Sequence, residues 1–135
     1  MEFALVSLLF VGFIYAVAVY GILLSTKNTE THAAAEGARA ALSVADLPAA
    51  TLDARRITQA TTTVANDLSS TLGSHYQASY VNASIAGCDS VGDTHKCITV
   101  TITYPWSSDP LVPQAPGMGF ITPSNVKATA VVRLN

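Results

Sequence analysis

The chain has 135 residues and a formal net charge of −2 at pH 7, and half of its residues are hydrophobic whereas only 12% are charged. Its few basic residues stand singly except at Arg55 and Arg56. Because no basic stripe is available to neutralise phosphates, we expect no nucleic-acid partner.

The first feature along the chain is an almost unbroken apolar run from Phe3 to Leu24, bordered by Glu2 and Lys27. A helix of this length measures about 33 Å, enough to cross the ~30 Å hydrocarbon layer of a bilayer. A cleaved signal peptide is the alternative, but it requires a basic leading region, a shorter apolar core and a small-residue cleavage site. No basic residue precedes this apolar run, the run is longer than the core of a signal peptide, and no convincing cleavage site occurs before Lys27. The run therefore predicts a membrane-spanning helix.

Helical character continues beyond the apolar run. From Ser25 to Val44 the chain contains no Pro and is rich in Ala, which favours helix. We therefore predict one long helix from about Phe3 to about Ala45, with an Ala-rich stripe for close packing and an end near Pro48. The charged residues of this second half are expected at solvated positions: Glu30, Glu36 and Arg39.

A second helix is predicted next, capped by Thr51 or Asp53 and ended by Gly73. Arg55 and Arg56 are expected on its solvated side. Its apolar residues recur at spacings near one turn, and they are Leu52, Ile57, Ala60, Val64, Leu68 and Leu72.

Beyond Gly73 the pattern alternates, which is typical of strands. Three antiparallel strands are predicted at Tyr76 to Ile85, Cys97 to Tyr104 and Val126 to Leu134. The two helices must cover the apolar face of this sheet. The predicted fold class is therefore α+β, with residues 1–25 as a hydrophobic membrane helix and residues 26–135 as an exported globular domain that includes the second half of the long helix.

A proline-rich loop from Pro105 to Pro123 separates the last two strands. It is too apolar for a merely flexible linker. Its large apolar residues are Trp106, Leu111, Val112, Met118, Phe120 and Ile121. Two interpretations stay open: these side chains fold back on the small core, or some of them contact a neighbouring subunit.

Cys88 and Cys97 are the two cysteines, and they flank a predicted turn between two strands. An even pair in an exported domain favours a disulfide and an oxidising compartment. Asn82, in Asn82-Ala83-Ser84, matches the short glycosylation sequon.

No pattern indicates catalysis. His32, His75 and His95 lack metal-ligand spacing, and Asp89 and Asp93 lack the Glu that a calcium loop requires. The chain has no nucleophile elbow and no phosphate-binding glycine loop. We therefore expect no enzyme, no metal site and no cofactor.

The opening Glu2-Phe3-Ala4-Leu5-Val6, followed in order by Ala33-Ala34-Ala35-Glu36-Gly37-Ala38-Arg39-Ala40-Ala41, resembles the TadE-like pilins of tight-adherence pili. More broadly it is similar to the type IV pilin superfamily. The resemblance is clearest over residues 2 to 42, and beyond them it extends to architecture alone.

This resemblance implies a single-pass precursor in the inner (cytoplasmic) membrane, in contact with lipids, which a prepilin peptidase trims and the pilus assembly machinery extracts. The product is an extracellular helical filament, a homo-oligomer whose dry core consists of amino-terminal helices. An acidic residue pairs there with the amino terminus of an adjacent subunit, and the matching acid is Glu2. An isolated carboxylate at the head of an apolar helix independently favours such a pairing.

Small residues in the apolar helix permit close helix contacts. The residues expected to act in assembly are Glu2, Phe3, Leu5, Leu8, Gly12, Ala16 and Gly21. The leading hypothesis is a structural subunit (pilin) of an adhesive pilus. The alternative is a membrane-anchored accessory (minor) pilin or an envelope ligand-binding protein, because the main subunit of such pili is typically far shorter than this chain.

Overall fold

The computed structural model describes residues 2–44, 48–88, 95–113 and 122–134. Helix α1, Glu2–Ala40, has 39 residues and ends in a short 3-10 turn at Ala41–Ser43. Helix α2 is Ala49–Leu72. The predicted long first helix is therefore confirmed up to this turn, and its expected last residue lies outside the described residues.

Gly73 ends α2 with a φ of 55°, a left-handed conformation that glycine adopts without a steric penalty. The predicted start of this helix is wrong. Pro48, not Thr51 or Asp53, occupies the N-cap position of α2. The Thr51 hydroxyl donates a hydrogen bond back to the Pro48 carbonyl oxygen and does not cap the helix. Asp53 lies within the helix and forms an ion pair with Lys96 at 2.5 Å.

Strands β1 (Val81–Gly87), β2 (Lys96–Tyr104) and β3 (Val126–Arg133) form one antiparallel sheet in the order β1-β2-β3. Register is set by pairs such as Val100 with Ala83 and Ala130. The predicted α+β fold is thus confirmed. The first strand is shorter at its start than predicted, because residues 78–80 form a 3-10 turn.

The core lies between one face of the sheet and the two helices. Alternate residues of β2 point into it, and α1 and α2 contribute one stripe each. The main buried side chains are Ala34, Ala38, Ala60, Val64, Leu68, Ile98, Val100, Ile102, Tyr104 and Trp106. Arg55 is exposed as predicted, whereas Arg56 is half-buried.

Two ends of the domain can be distinguished. At the proximal end, toward the apolar start of α1, the Lys27 amino group donates a hydrogen bond to the Lys127 carbonyl oxygen at 3.3 Å. At the distal end, the start of α2 meets the start of β2 through Asp53 and Lys96. The globular domain therefore lies alongside the second half of α1.

Candidate assembly helix

Helix α1 divides into two parts with different surroundings. We call residues 3–14 the bare segment and residues 15–40 the packed segment. Every residue of the bare segment is exposed, with Phe3 at 87% and Leu9 at 75% of full exposure. A water-facing apolar surface of this size on a folded domain marks a binding surface for lipid or protein.

The bare segment is apolar on all sides, not on one stripe alone. Helices of this kind are found where apolar material surrounds them completely. Among the described residues, α1 with its turn, Phe3–Ser43, is the one helix long and apolar enough to cross a membrane, and 6% of its most apolar stretch is buried in the domain. The predicted lipid-length helix is therefore present, and most of it lies outside the core.

The predicted assembly residues fall on both parts of α1. Phe3, Leu5 and Leu8 are exposed in the bare segment. A Cβ atom added at Gly12 or Gly21 would meet no heavy atom within 4 Å, so both glycines face open space in the single chain. The remaining two are Ala16, which is half-buried, and Glu2, whose side chain lies outside the described residues.

The domain begins to cover α1 at Tyr15. The Tyr15 hydroxyl donates a hydrogen bond to the carbonyl oxygen of Pro113 in the loop after β2. Val19 and Leu23 follow on the same stripe and are 3% and 6% exposed. The domain boundary predicted near residue 25 marks the point where α1 is expected to leave the membrane. Packing of α1 against the domain starts ten residues earlier, at Tyr15, well inside the apolar run.

Glu30 is fully buried on the same stripe of α1. Neither carboxyl oxygen has a hydrogen-bond partner among the described residues. Burial raises the pKa of Glu30 from 4.5 to about 8, and the nearby positive charge of Lys27 opposes part of this rise. The prediction that Glu30 is solvated is therefore wrong, and the carboxyl group is mostly neutral at pH 7.

The sequence did contain a signal for this burial. Leu23, Thr26 and Glu30 recur at three- and four-residue spacings, and the same stripe continues through Ala33 and Ala34 to Ala41. Position on the helix decides the burial of Glu30 more than its charge does. The other two charged residues, Glu36 and Arg39, are exposed as predicted and form a surface ion pair at 3.3 Å.

The two helices approach each other closely at Gly37. A Cβ atom at this position would overlap the Val64 side chain and would lie 3.0 Å from the Ala60 carbonyl oxygen. The absence of a side chain thus lets α2 pack directly on α1. The Ala-rich stripe predicted on α1 is therefore the surface that packs closely in the domain.

The predicted disulfide is confirmed: Cys88 and Cys97 are joined across the ends of β1 and β2. Asn82 is exposed on β1, the edge strand, so its side chain is accessible for modification. Asp89 and Asp93, for which no calcium loop was expected, lie outside the described residues.

The histidines lie apart from one another. His32 is exposed on α1, His75 Nδ1 lies within hydrogen-bond distance of Asp109 Oδ1 at 2.7 Å, and His95 contacts Arg133. Within the described residues no group of three His, Cys, Asp or Glu side chains is placed to hold a metal ion. These three side chains do not form one site.

The proline-rich loop folds back as one of its two interpretations predicted. Trp106 is fully buried, and Leu111 and Val112 pack against the core. Met118, Phe120 and Ile121 lie outside the described residues, so the second interpretation, contact with a neighbouring subunit, stays a prediction for them.

Residues 1–39 match the family model described as TadE-like protein, and the match covers all of α1 except its last residue. A search of curated proteins and a search of solved structures found no match. The matched segment contains the first element that carried the resemblance and the second up to Arg39, and it coincides with the candidate assembly helix. Through this helix the chain is similar to the TadE-like family, which indicates a protein associated with tight-adherence pili.

Proposed function

We propose that the chain is a membrane-anchored pilin of a tight-adherence pilus, which inserts its bare segment first into lipid and then among the helices of neighbouring subunits. The observation that carries this proposal is the bare segment itself, apolar on all sides and exposed throughout residues 3–14. The family match over the same residues supports it.

The energetics favour a dry partner. Removing one Leu, Val or Phe side chain from water contributes roughly 1.5–3 kcal/mol. The bare segment contains Phe3, Leu8, Leu9 and Phe10 among its exposed apolar residues. The nine large apolar side chains of the segment together contribute roughly 13–27 kcal/mol, at least as much as the net stability of a typical small domain, so covering this surface with a bilayer or a helix bundle is strongly favoured.

The glycines of α1 favour a helix bundle as the final environment. Gly12 and Gly21 face open space in the single chain, so neither is needed for packing within the domain. Glycine also weakens a helix relative to alanine. Close contact with another helix at Gly12 and Gly21 would offset this loss of helix stability, because small residues let two helices approach each other.

Glu2 is proposed to pair with the amino terminus of an adjacent subunit. The first twenty-six residues contain no Lys or Arg, so no basic side chain of that segment can neutralise this carboxylate. We expect Glu2→Ala to leave the protein in the membrane but to reduce its assembly. Normal amounts of filament from this variant would argue against the pairing.

The size of the domain favours the alternative role of an accessory pilin. More than ninety residues follow the matched segment, and they form a disulfide-linked sheet domain beside α1. A subunit that primes or tips a filament has the same helix but low abundance. An envelope protein whose domain binds a ligand is the third form of this proposal.

Sheared fibres separate these roles. A filament builder should be the dominant protein in purified fibres, whereas an accessory pilin should be sparse there and abundant in membranes. An envelope protein should be absent from the fibres. Mass spectrometry of the intact extracellular protein would establish its terminus, its disulfide and any glycan on Asn82 together.

Gly12→Leu tests assembly through α1. The added side chain has space in the single chain and suits lipid, so we expect normal membrane insertion and a strong loss from fibres. Val11→Leu is the matched control, because Val11 is already 61% exposed and this change adds bulk without removing a small residue. Equal amounts of both variants in fibres would exclude close packing at Gly12.

A further inference from the structure

Loop 105–113, which follows β2, lies beside the apolar run of α1. The Pro113 carbonyl oxygen accepts the hydrogen bond from Tyr15, and Leu111 and Val112 pack against the core. Tyr15 precedes the end of the run at Leu24 by about nine residues, or about 14 Å of helix. The loop therefore reaches back along the segment that the sequence assigns to the membrane.

The bare segment alone is too short to cross a bilayer. Its residues 3–14 measure about 18 Å, whereas the hydrocarbon layer is about 30 Å thick. A spanning α1 must therefore place part of its packed segment in lipid, together with whatever covers that part. We propose that loop 105–113 is a second lipid-contacting surface, which enters the outer leaflet beside α1.

The backbone of the loop suits an environment with little water, where an unpaired polar group is costly. Three of its nine residues, at 105, 110 and 113, are prolines and have no N–H group. Four of the remaining N–H groups donate hydrogen bonds within the domain: Trp106 to Tyr104, Ser107 to Ser124, and Ser108 and Asp109 both to Pro105.

The positions of the charged residues also fit a loop that lies in the outer leaflet. Residues 105–113 contain no Lys, Arg or Glu, and their one acid, Asp109, is paired with His75. Lys27 and Lys127 meet a few residues beyond the apolar run, at the proximal end of the domain. Lysines at this level can reach lipid phosphates while their stems stay at the interface.

The contact with α1 favours a loop that remains attached in lipid. The Tyr15 hydroxyl and the Pro113 carbonyl oxygen satisfy each other. Separating them would leave two polar groups to find other partners within an apolar layer. An immersed loop retains this hydrogen bond, whereas a loop that swings into water loses it.

The experiment measures the depth of three nitroxide labels in the full chain, reconstituted in dioleoylphosphatidylcholine vesicles. Cysteine replaces Pro113 in the loop, Val17 on α1, or Val131 near the distal end of the domain, each as a separate variant. Val17 and Val131 are 58% and 59% exposed, so both accept a label, and the native cysteines are held in their disulfide. Accessibility to oxygen and to a water-soluble nickel chelate gives the depth.

We expect the oxygen-to-nickel accessibility ratio at Pro113→Cys to be close to that at Val17→Cys and several-fold above that at Val131→Cys. The inference rests on the proposed membrane anchoring, which the Val17 label reports by itself. A lipid signal at Val17 with a water signal at Pro113 would overturn the loop proposal and leave the anchoring intact. A water signal at Val17 would overturn both.

Discussion

The two parts of α1 belong to one continuous helix but have opposite surroundings. In the bare segment large apolar side chains face outward and Gly12 has open space around it, whereas in the packed segment Gly37 leaves no room for a side chain. The surroundings of the glycines therefore differ: Gly37 packs directly against α2, whereas Gly12, and Gly21 on the exposed side of the packed segment, have open space around them.

The charged residues of the packed segment also differ in their surroundings. Lys27 and Glu36 are exposed on the packed segment, but Glu30 is buried between them with its carboxyl oxygens unpaired. Desolvation keeps this carboxyl protonated at neutral pH. The packed segment thus accepts a cost in stability that the bare segment avoids, and the following predictions test this difference.

The largest effect is expected from the ionisation of Glu30. Its pKa is about 8 in the folded chain and near 4.5 when unfolded, so the unfolded state ionises first as the pH rises. Stability should therefore be greatest below about pH 4.5 and should fall by roughly 3–5 kcal/mol towards pH 8, with no further loss from this group above that pH. Urea unfolding in detergent micelles at several pH values measures it.

Glu30→Gln should remove most of this pH dependence, because an amide does not ionise. Glu36→Gln is the matched control on the exposed side of the same helix, and it should retain the wild-type profile. Parallel stability curves for the wild type and Glu30→Gln would show that Glu30 ionises freely in the folded chain.

The second largest change in stability is expected from loss of the disulfide, which lies in the globular domain. Replacing both Cys88 and Cys97 by Ser opens a short loop, which should lower the free energy of unfolding by about 2–3 kcal/mol. The bare segment has no contact with this bond, so flotation of the variant with lipid vesicles should be unchanged. Loss of flotation would mean that anchoring depends on the domain.

Substituting alanine for glycine should have opposite effects on stability at Gly37 and at Gly12. Gly37→Ala forces α1 and α2 apart and should cost about 1–3 kcal/mol, because its Cβ overlaps Val64. Gly12→Ala should stabilise the helix by about 0.5–1 kcal/mol in the same micelles, since nothing lies near its Cβ. Equal effects of the two changes would remove the distinction between the two parts.

The smallest effect is expected at the border between the two parts. Tyr15→Phe removes one hydrogen bond to the loop and should cost about 0.5–1.5 kcal/mol in chemical unfolding. Tyr20→Phe is the control, at a tyrosine that is 50% exposed on α1. If the two variants unfold alike, the contact with Pro113 adds no measurable stability.

Much of this architecture could be predicted because local patterns and tertiary packing agree. The alternation along β2 places Ile98, Val100 and Ile102 on one buried face, and the spacing of Cys88 and Cys97 suits a bridge across neighbouring strands. The length and uniform hydropathy of the bare segment predicted a helix outside the core.

The errors arose where a residue type was given more weight than its position. Tyr76 and Tyr80 suggested a strand by composition, but Tyr76 follows one 3-10 turn and Tyr80 ends the next, and both pack against the core from there. Glu30 was placed in solvent because it is charged. The contact between Tyr15 and Pro113 joins residues 98 positions apart, and no local pattern indicates so distant a pairing.

Cross-linking through Leu8 shows whether α1 packs against other subunits in the fibre. Leu8 is 71% exposed on the bare segment, so Leu8→Cys provides one reactive thiol on the surface that is proposed to meet other subunits. Oxidation of sheared fibres should yield covalent dimers and higher adducts that contain this chain. A chain recovered from the fibres as monomer alone, with its Leu8→Cys thiol accessible to water-soluble reagents, would contradict assembly through this helix.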